Sequence, residues 1–235
     1  MRTVVDFHNH ILPGIDDGSS SVEQSIQMLQ AEMVQGIDTV VVTPHFYAKH
    51  DRPEDFLHRR EASERLLRDE MAKHPRMPQL YVGAEVYYFN GISDSSILQK
   101  LTIADTKYVL IEMPMPPWTE RMFRELENIW IKHDLIPVIA HIDRYIGPWR
   151  TYKIPERLEK MPVKVQANAN FFLDKSTRAL AFRMLRKGRI QLLGSDCHDM
   201  KDRAPNLGEA LKVIKDKFGP GIISFINDNE QEILK

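Results

Sequence analysis

Eight residues that bind metal ions well lie just beyond short apolar runs in this chain. VVDF leads to His8 and His10, VVVT to His45, LYVG to Glu85, and YVLI to Glu112. Further on, PVIA leads to His141, VKVQ to the polar Asn168, and IQLLGS to Asp196 and His198. Residues two apart on a strand point to the same side, so His8 and His10 can share one ion, and Asp196 with His198 repeats the spacing. Any one of these residues is equally well explained by ordinary hydrogen bonding, but the set is not. A charged group buried without a partner costs several kcal/mol, and a metal ion supplies that partner.

Adding one acid from the Asp16-Asp17 turn gives five histidines and four carboxylates, more than a single ion needs. Two or three ions are implied. Mixed imidazole and carboxylate ligation suits Mn, Fe, Co or Zn better than Ca. Ions clustered in this way are a device for hydrolysing phosphate esters, because they provide hydroxide at neutral pH and clamp the attacking and leaving oxygens. Arg144, three residues past His141, and Arg203, five past His198, are placed to grip phosphate oxygens with a bidentate fork. Gln166, Asn168 and Asn170 alternate along one strand end and can line the same pocket or serve as turn residues.

Cys197 to Arg203 also spells C-x5-R, the formal signature of cysteine-dependent phosphatases. A phosphate cradle of that kind depends on converging backbone N–H groups, whereas this loop carries Asp199 and Asp202, which repel the substrate. On an extended segment between Asp196 and His198, Cys197 is expected to point away from the ligands and into packing.

Elements that alternate strand and helix must bring these residues together. The turn-rich GIDDGSSS follows the first strand, and Ser20-x-x-Glu23 reads as a capping box for a helix running to Gly36. A long charged helix is expected from Pro53 to His74, with Phe56, Leu66, Leu67 and Met71 facing inward. Residues from Val86 to Leu101 look irregular. Thr119 caps the amphipathic ERMFRELENIWIKH, and a loop with Arg144, Tyr145, Trp149, Arg150 and Tyr152 leads to a short helix near Pro155. Helices from Asp174 to Lys187 and over NLGEALKVIKDKFG complete seven βα units of an α/β chain, which fit a slightly short variant of the eight-unit β/α barrel. In such a barrel all strands end at one rim, where the ligands converge. Residues 1–235 read as a single domain, since 43% hydrophobic content fills one core.

Thirty-two basic and 33 acidic residues give a formal charge of −1, so no nucleic-acid footprint stands out. No apolar run is long enough to cross a bilayer, so a membrane protein is not expected. One cysteine makes no internal disulfide, and a first strand at Thr3 leaves no room for a leader, so a cytoplasmic location is expected.

The motifs DFHNHILPGIDDG, TPH, GAE, YVLIE, VIAHIDRY and SDCH, in this order along nearly the whole chain, resemble the polymerase and histidinol phosphatase (PHP) superfamily of metal hydrolases. Within it the chain is similar to the bacterial metal-dependent protein-tyrosine phosphatases of capsule and exopolysaccharide synthesis. The resemblance implies the PHP fold, a distorted (β/α)7 TIM-like barrel, and a three-metal site, usually of Mn2+, with Fe, Co, Zn or Mg as substitutes. It places His8, His10, Glu85 and Asp196 on one metal, Glu85, Glu112 and His141 on a second, and Asp17, His45 and His198 on a third. Asp17 is chosen because the family's acid immediately precedes the glycine of DDG. Arg144 and Arg203 match arginines that hold phosphate. HIDRY replaces the HIERY or HPER of many members and spares the arginine, while Met113 to Trp118 has no counterpart. The implied substrate is phosphotyrosine, on the tail of a membrane-associated bacterial tyrosine kinase. Tyr87, Tyr88, Trp118 and Trp149 follow strand ends and can form an aromatic rim for its ring. A small-molecule phosphatase such as one for histidinol phosphate is the alternative, followed by a nuclease and a metal-stabilised scaffold.

Overall fold

A computed structural model describes residues 4–146 and 153–234. Thr3, Trp149, Arg150 and Tyr152, singled out above, lie outside the described residues.

The chain runs β1 (Val5–Asn9), α1 (Val22–Val34), β2 (Thr39–Val42), β3 (His45–Phe46), α2 (Pro53–Met71), β4 (Gln79–Val82), β5 (Glu85–Tyr87), β6 (Tyr108–Glu112) and α3 (Glu120–His133). It continues through β7 (Ile136–Ile139), α4 (Ile154–Leu158), β8 (Lys164–Asn168), α5 (Ala169–Leu173), α6 (Arg178–Arg186), β9 (Leu192–Gly194), α7 (Leu207–Phe218) and α8 (Pro220–Ile233). Every paired strand is parallel, in the orders β1-β2-β4 and β3-β5-β6-β7-β8-β9.

These strands fill seven positions around a barrel. Pro44 has no N–H for the ladder, which separates β2 from β3. Backbone bonds from Gly83 N to Val42 O (2.9 Å) and from Glu85 N to Pro44 O (3.0 Å) carry the pairing across both interruptions. Bonds from Asp196 N to His8 O (2.7 Å) and from His10 N to Cys197 O (2.9 Å) join the last position to the first. The fold is thus the distorted (β/α)7 barrel that the family resemblance implies.

Strand alternation sorts the core into two layers. Val5, Phe7, Val41, Tyr108, Leu110, Val138 and Leu192 form an inner cluster, which Ile233 of α8 joins. Val40, Val42, Val109, Ile111, Ile139 and Leu193 face outward onto Met28 and Leu29 of α1, Phe56 and Leu67 of α2, and Leu126 and Ile129 of α3. Burying each such side chain stabilises the fold by about 1.5–3 kcal/mol.

Several local expectations shift. The N-cap of α1 is Ser21, whose hydroxyl accepts from Gln24 N, while Gln24 Oε1 accepts from Ser20 N; the serine run lets the cap slide by one residue. Leu66 is 57% exposed and takes no part in the core, because Leu67 already occupies the buried stripe of α2. The helix expected from Asp174 starts at Arg178, since the Asp174 carboxylate accepts from Ser176 N and Oγ and holds a turn there. The sequence reading places nothing after Gly219, yet α8 follows and packs against β1 and β9.

Candidate metal centre

Strand register builds the site in layers at the carboxyl rim. His45 pairs with Glu85, and Glu85 with Leu110 of the inner core, so both ligand candidates continue the inward face of their strands. In β1 the register gains one residue between Asp6 and Asn9. Such a bulge re-aims side chains, and it brings His8 inward above Phe7. His141 (φ 32°) and Asp196 (φ 54°) adopt left-handed backbone conformations, uncommon outside glycine and concentrated at functional sites. The segment from Asp196 to His198 is therefore not extended as expected, although Cys197 does point away.

His8 Nε2 and His10 Nε2 lie 3.3 Å apart, and Glu85 Oε2 lies 3.2 Å from the first and 3.3 Å from the second. Asp196 Oδ1 lies 3.7 Å and 3.5 Å from the same two nitrogens. His45 Nδ1 approaches Glu85 Oε2 (3.1 Å) and Glu112 Oε2 (3.9 Å), while His141 Nε2 meets Glu85 Oε1 (2.7 Å) and Glu112 Oε1 (3.5 Å). Asp17 Oδ1 lies 3.6 Å from His45 Nε2 and 3.4 Å from His198 Nε2. All nine candidate ligands thus meet in one connected cluster. Three overlapping groups have the compactness to hold an ion: His8, His10 and Glu85; His45, Glu85 and Glu112; and His10, Asp17, His45 and His198. They differ from the implied sets in that Asp196 and His141 fall in none of these compact groups, His45 joins Glu85 and Glu112, and His10 joins Asp17.

The donors suit cations. Among the described residues, the buried atoms Glu85 Oε2, His45 Nδ1 and His198 Nε2 have no hydrogen-bond partner. Burial pushes the Glu85 carboxyl up, but the His8, His10 and His141 imidazoles outweigh it and hold it well below the usual carboxylate range. Asp196 behaves alike, with burial opposed by His8 and His10. Burial lowers His10 and the Asp16, Asp196 and Glu85 carboxylates raise it, leaving it well above its ordinary value, which reflects the negative charge gathered at the centre. Burial, with His10 beside it, pushes His198 down to about 4, so it is a neutral donor at physiological pH.

A surrounding layer fixes the ring orientations. The Asp16 carboxylate, held down to about 2 by its bonds to His10 against the effect of burial, only accepts; His10 therefore donates from Nδ1 (2.8 Å) and turns Nε2 to the centre. Gln166 Oε1 accepts from His141 N (2.6 Å) and faces His8 Nδ1 at 3.2 Å. The chain of bonds continues through Gln166 Nε2 to Asn168 Oδ1 (3.1 Å) and Asn168 Nδ2 to Asp196 Oδ2 (2.8 Å). Two glycines make room: a Cβ at Gly194 would stand 2.6 Å from His8 Cβ, and one at Gly18 would stand 2.2 Å from His10 O. The DDG glycine is thus needed because the loop folds back onto His10.

Arg144 Nη2 donates to Asp196 Oδ2 (2.7 Å) and Arg203 Nη2 to Asp196 Oδ1 (2.8 Å), so the two guanidiniums flank one carboxylate. Both border a polar cleft of about 460 Å³ with Asn168, Asn170 and Lys201.

Residues 4–235 match a protein family described as capsular polysaccharide synthesis, CpsB/CapC. The chain belongs to this family. Among relatives it is 30% identical to the tyrosine-protein phosphatase YwqE of Bacillus subtilis, over 99% of this chain and 92% of that one. It is 28% identical to the tyrosine-protein phosphatase CpsB of Streptococcus agalactiae, over 99% and 98%. A crystal structure from work on YwqE of Bacillus subtilis and CpsB of Streptococcus pneumoniae, described as unique metal-dependent tyrosine phosphatases, superposes with a TM-score of 0.85 at 27% identity, covering 98% of this chain and 94% of that one. A lactonase of Deinococcus radiodurans, 13% identical with a TM-score of 0.59, shares the fold.

In this CpsB/CapC chain the C-x5-R lead has no geometry behind it. Cys197 is fully buried with Sγ 4.0 Å from Glu32 Oε1, and burial together with Glu32 and Asp6 pushes its thiol well up. Sequence reasoning missed Asp16, Gln166 as an orienting group, and Asp6, which accepts from Ser195 N (2.9 Å) and Ser195 Oγ (2.5 Å) and ties the Asp196 loop to β1. A carboxylate inside the apolar VVDF run was the available signal for Asp6. The aromatic rim also changes. Trp118 packs on Phe123 and Tyr145 and donates to Pro114 O, and Tyr88 is buried. Tyr47, not anticipated, stands beside His45 with ring centroids 5.1 Å apart.

Proposed function

We propose that this chain is a metal-dependent protein-tyrosine phosphatase, a phosphoric monoester hydrolase, and that its site is the His and carboxylate cluster at the barrel rim. The observation that carries the reading is the pair of guanidiniums on Asp196, beside a cluster of nine imidazole and carboxylate ligand candidates. His8, His10, Glu85 and Asp196, with Glu112, His141, Asp17, His45 and His198, would hold two or three ions, manganese first, with Fe, Co, Zn or Mg as alternatives. Bound there, such ions supply a water nucleophile active at neutral pH and neutralise phosphate charge. Asp16 and Gln166 keep the histidine donors aimed inward. Arg144 and Arg203 orient the phosphate and stabilise charge on its equatorial oxygens as the ester bond breaks. A phenolate, with a pKa of about 10 for its conjugate acid, leaves without a strong general acid.

By likeness to its relatives the substrate is a phosphotyrosine protein of capsule or exopolysaccharide synthesis, and we place it on the tail of a membrane-associated tyrosine kinase, reached from the cytoplasm. No helix among the described residues is long and apolar enough to cross a membrane.

The test is hydrolysis of a phosphotyrosine peptide before and after chelator treatment, with Mn2+ then added back. Activity that vanishes and returns supports the reading; activity indifferent to chelator overturns it.

A further inference from the structure

Beyond the ligand layer, a tyrosine lies two residues after each of two metal-ligand candidates: Tyr47, the residue just past β3, follows His45, and Tyr87, the last residue of β5, follows Glu85. Residues two apart in a strand share a face, which sets Tyr87 on the side of Glu85, about 6–7 Å outward of it, and the ring contacts of Tyr47 set it on that same side. Tyr87 is the register partner of Glu112, and Phe46 between His45 and Tyr47 turns the other way, onto Phe56. The Tyr47 ring bridges the two strands, with centroids 5.1 Å from His45 and 5.6 Å from Tyr87. Burial and the Glu112 and Glu85 carboxylates hold its phenol above the ordinary value, so it stays neutral and uncharged against the site.

Tyr47 and Tyr87 also form one wall of a cavity of about 260 Å³, completed by Lys49, His50, Tyr88 and Phe89. Drug-sized ligands occupy pockets from about 300 Å³ upward, so this volume suits a single ring. The polar cleft with Arg144 and Arg203 is lined by a separate set of residues. The rim is thereby divided into a cationic side, able to take the phosphate, and an aromatic side, able to take what the phosphate is attached to.

We infer that Tyr47 and Tyr87 are the residues that make the site selective for aryl over alkyl phosphates, by packing the phenyl ring of the substrate in the cavity beside them. This rests on the phosphatase reading and adds the origin of its ring specificity. Stacked or edge-on aromatic contacts of this kind account for a change of about 2–10-fold each.

The test compares two competitive inhibitors of the Mn2+-loaded enzyme, phenylphosphonate and inorganic phosphate, in wild type, Tyr47→Ala, Tyr87→Ala and the two Phe variants. Each Ala variant is expected to weaken phenylphosphonate about 2–10-fold and leave inorganic phosphate unchanged, with Phe restoring wild-type inhibition. An unchanged phosphate constant also shows that the variant site is intact. Equal weakening of both inhibitors, or of neither, overturns the assignment while leaving the phosphatase reading in place. Wild-type protein that hydrolyses no aryl phosphate with any of the metals overturns both.

Discussion

His10 Nδ1 lies 2.8 Å from Asp16 Oδ2, while the neighbouring Asp17 turns out to His45 and His198, so adjacent acids in one turn face different layers of the site. The same Asp16 oxygen accepts from His45 N at 3.0 Å, coupling two strands to the turn. Asp16 thus orients the His10 imidazole and anchors the backbone of His45 without being placed to ligate. Replacing it with Asn is expected to weaken metal affinity by about 10–100-fold while activity at saturating Mn2+ recovers most of its wild-type level. A metal titration of activity checks this; an affinity equal to wild type would show that the contact is incidental.

Arg144 and Arg203 share Asp196. Each Arg→Ala variant is expected to lose about 10²–10³ in kcat/KM on a phosphotyrosine peptide, as for removal of one donor to a developing oxyanion. Because they meet on one carboxylate, the double variant should lose less than the product of the two single losses. Steady-state kinetics decides, and losses of only about twofold would return both arginines to the solvent-facing role common for loop residues.

Cys197 is buried with its thiol pushed up, away from the reactive thiolate range. Cys197→Ser should therefore keep most of the phosphatase activity and all of its metal dependence. Near-total loss in a folded, metal-loaded variant would sink the metal mechanism.

Glu230 on α8 is buried, with Oε2 lacking a hydrogen-bond partner, and burial together with Asp6 raises its carboxyl well above the usual value. A carboxyl raised on folding costs stability once pH exceeds its unfolded value of about 4.3, and the cost grows until the folded value is passed. Glu230→Gln is expected to gain about 1–3 kcal/mol at neutral pH and nothing below about pH 4. Thermal melts across that range test the sign; a less stable variant at neutral pH would mean that the ionised carboxylate is needed.

How far the sequence reached depended on the period of each signal. The strand ends with His45, Glu85 and Glu112 were legible because two-residue alternation and a fixed rim dictate where side chains go. Trp118 and Leu66 were misread because an exposed and a buried position on a loop or helix edge differ only by what packs on them. Helix α8 escaped because its closure of the barrel floor is a long-range contact, with Ile233 joining a cluster made by distant strands.

By itself, then, the sequence determined which candidate ligands the chain carries, the parallel α/β architecture and the rim on which those candidates meet, since residue type and strand periodicity are local properties. Tertiary structure alone decided that a bulge turns His8 inward, that left-handed backbone aims His141 and Asp196, that Asp16 holds His10 while Asp17 faces His45 and His198, and that Tyr47 stands beside Tyr87. Those choices depend on contacts between residues far apart in the chain, and such contacts exist only once the barrel has closed.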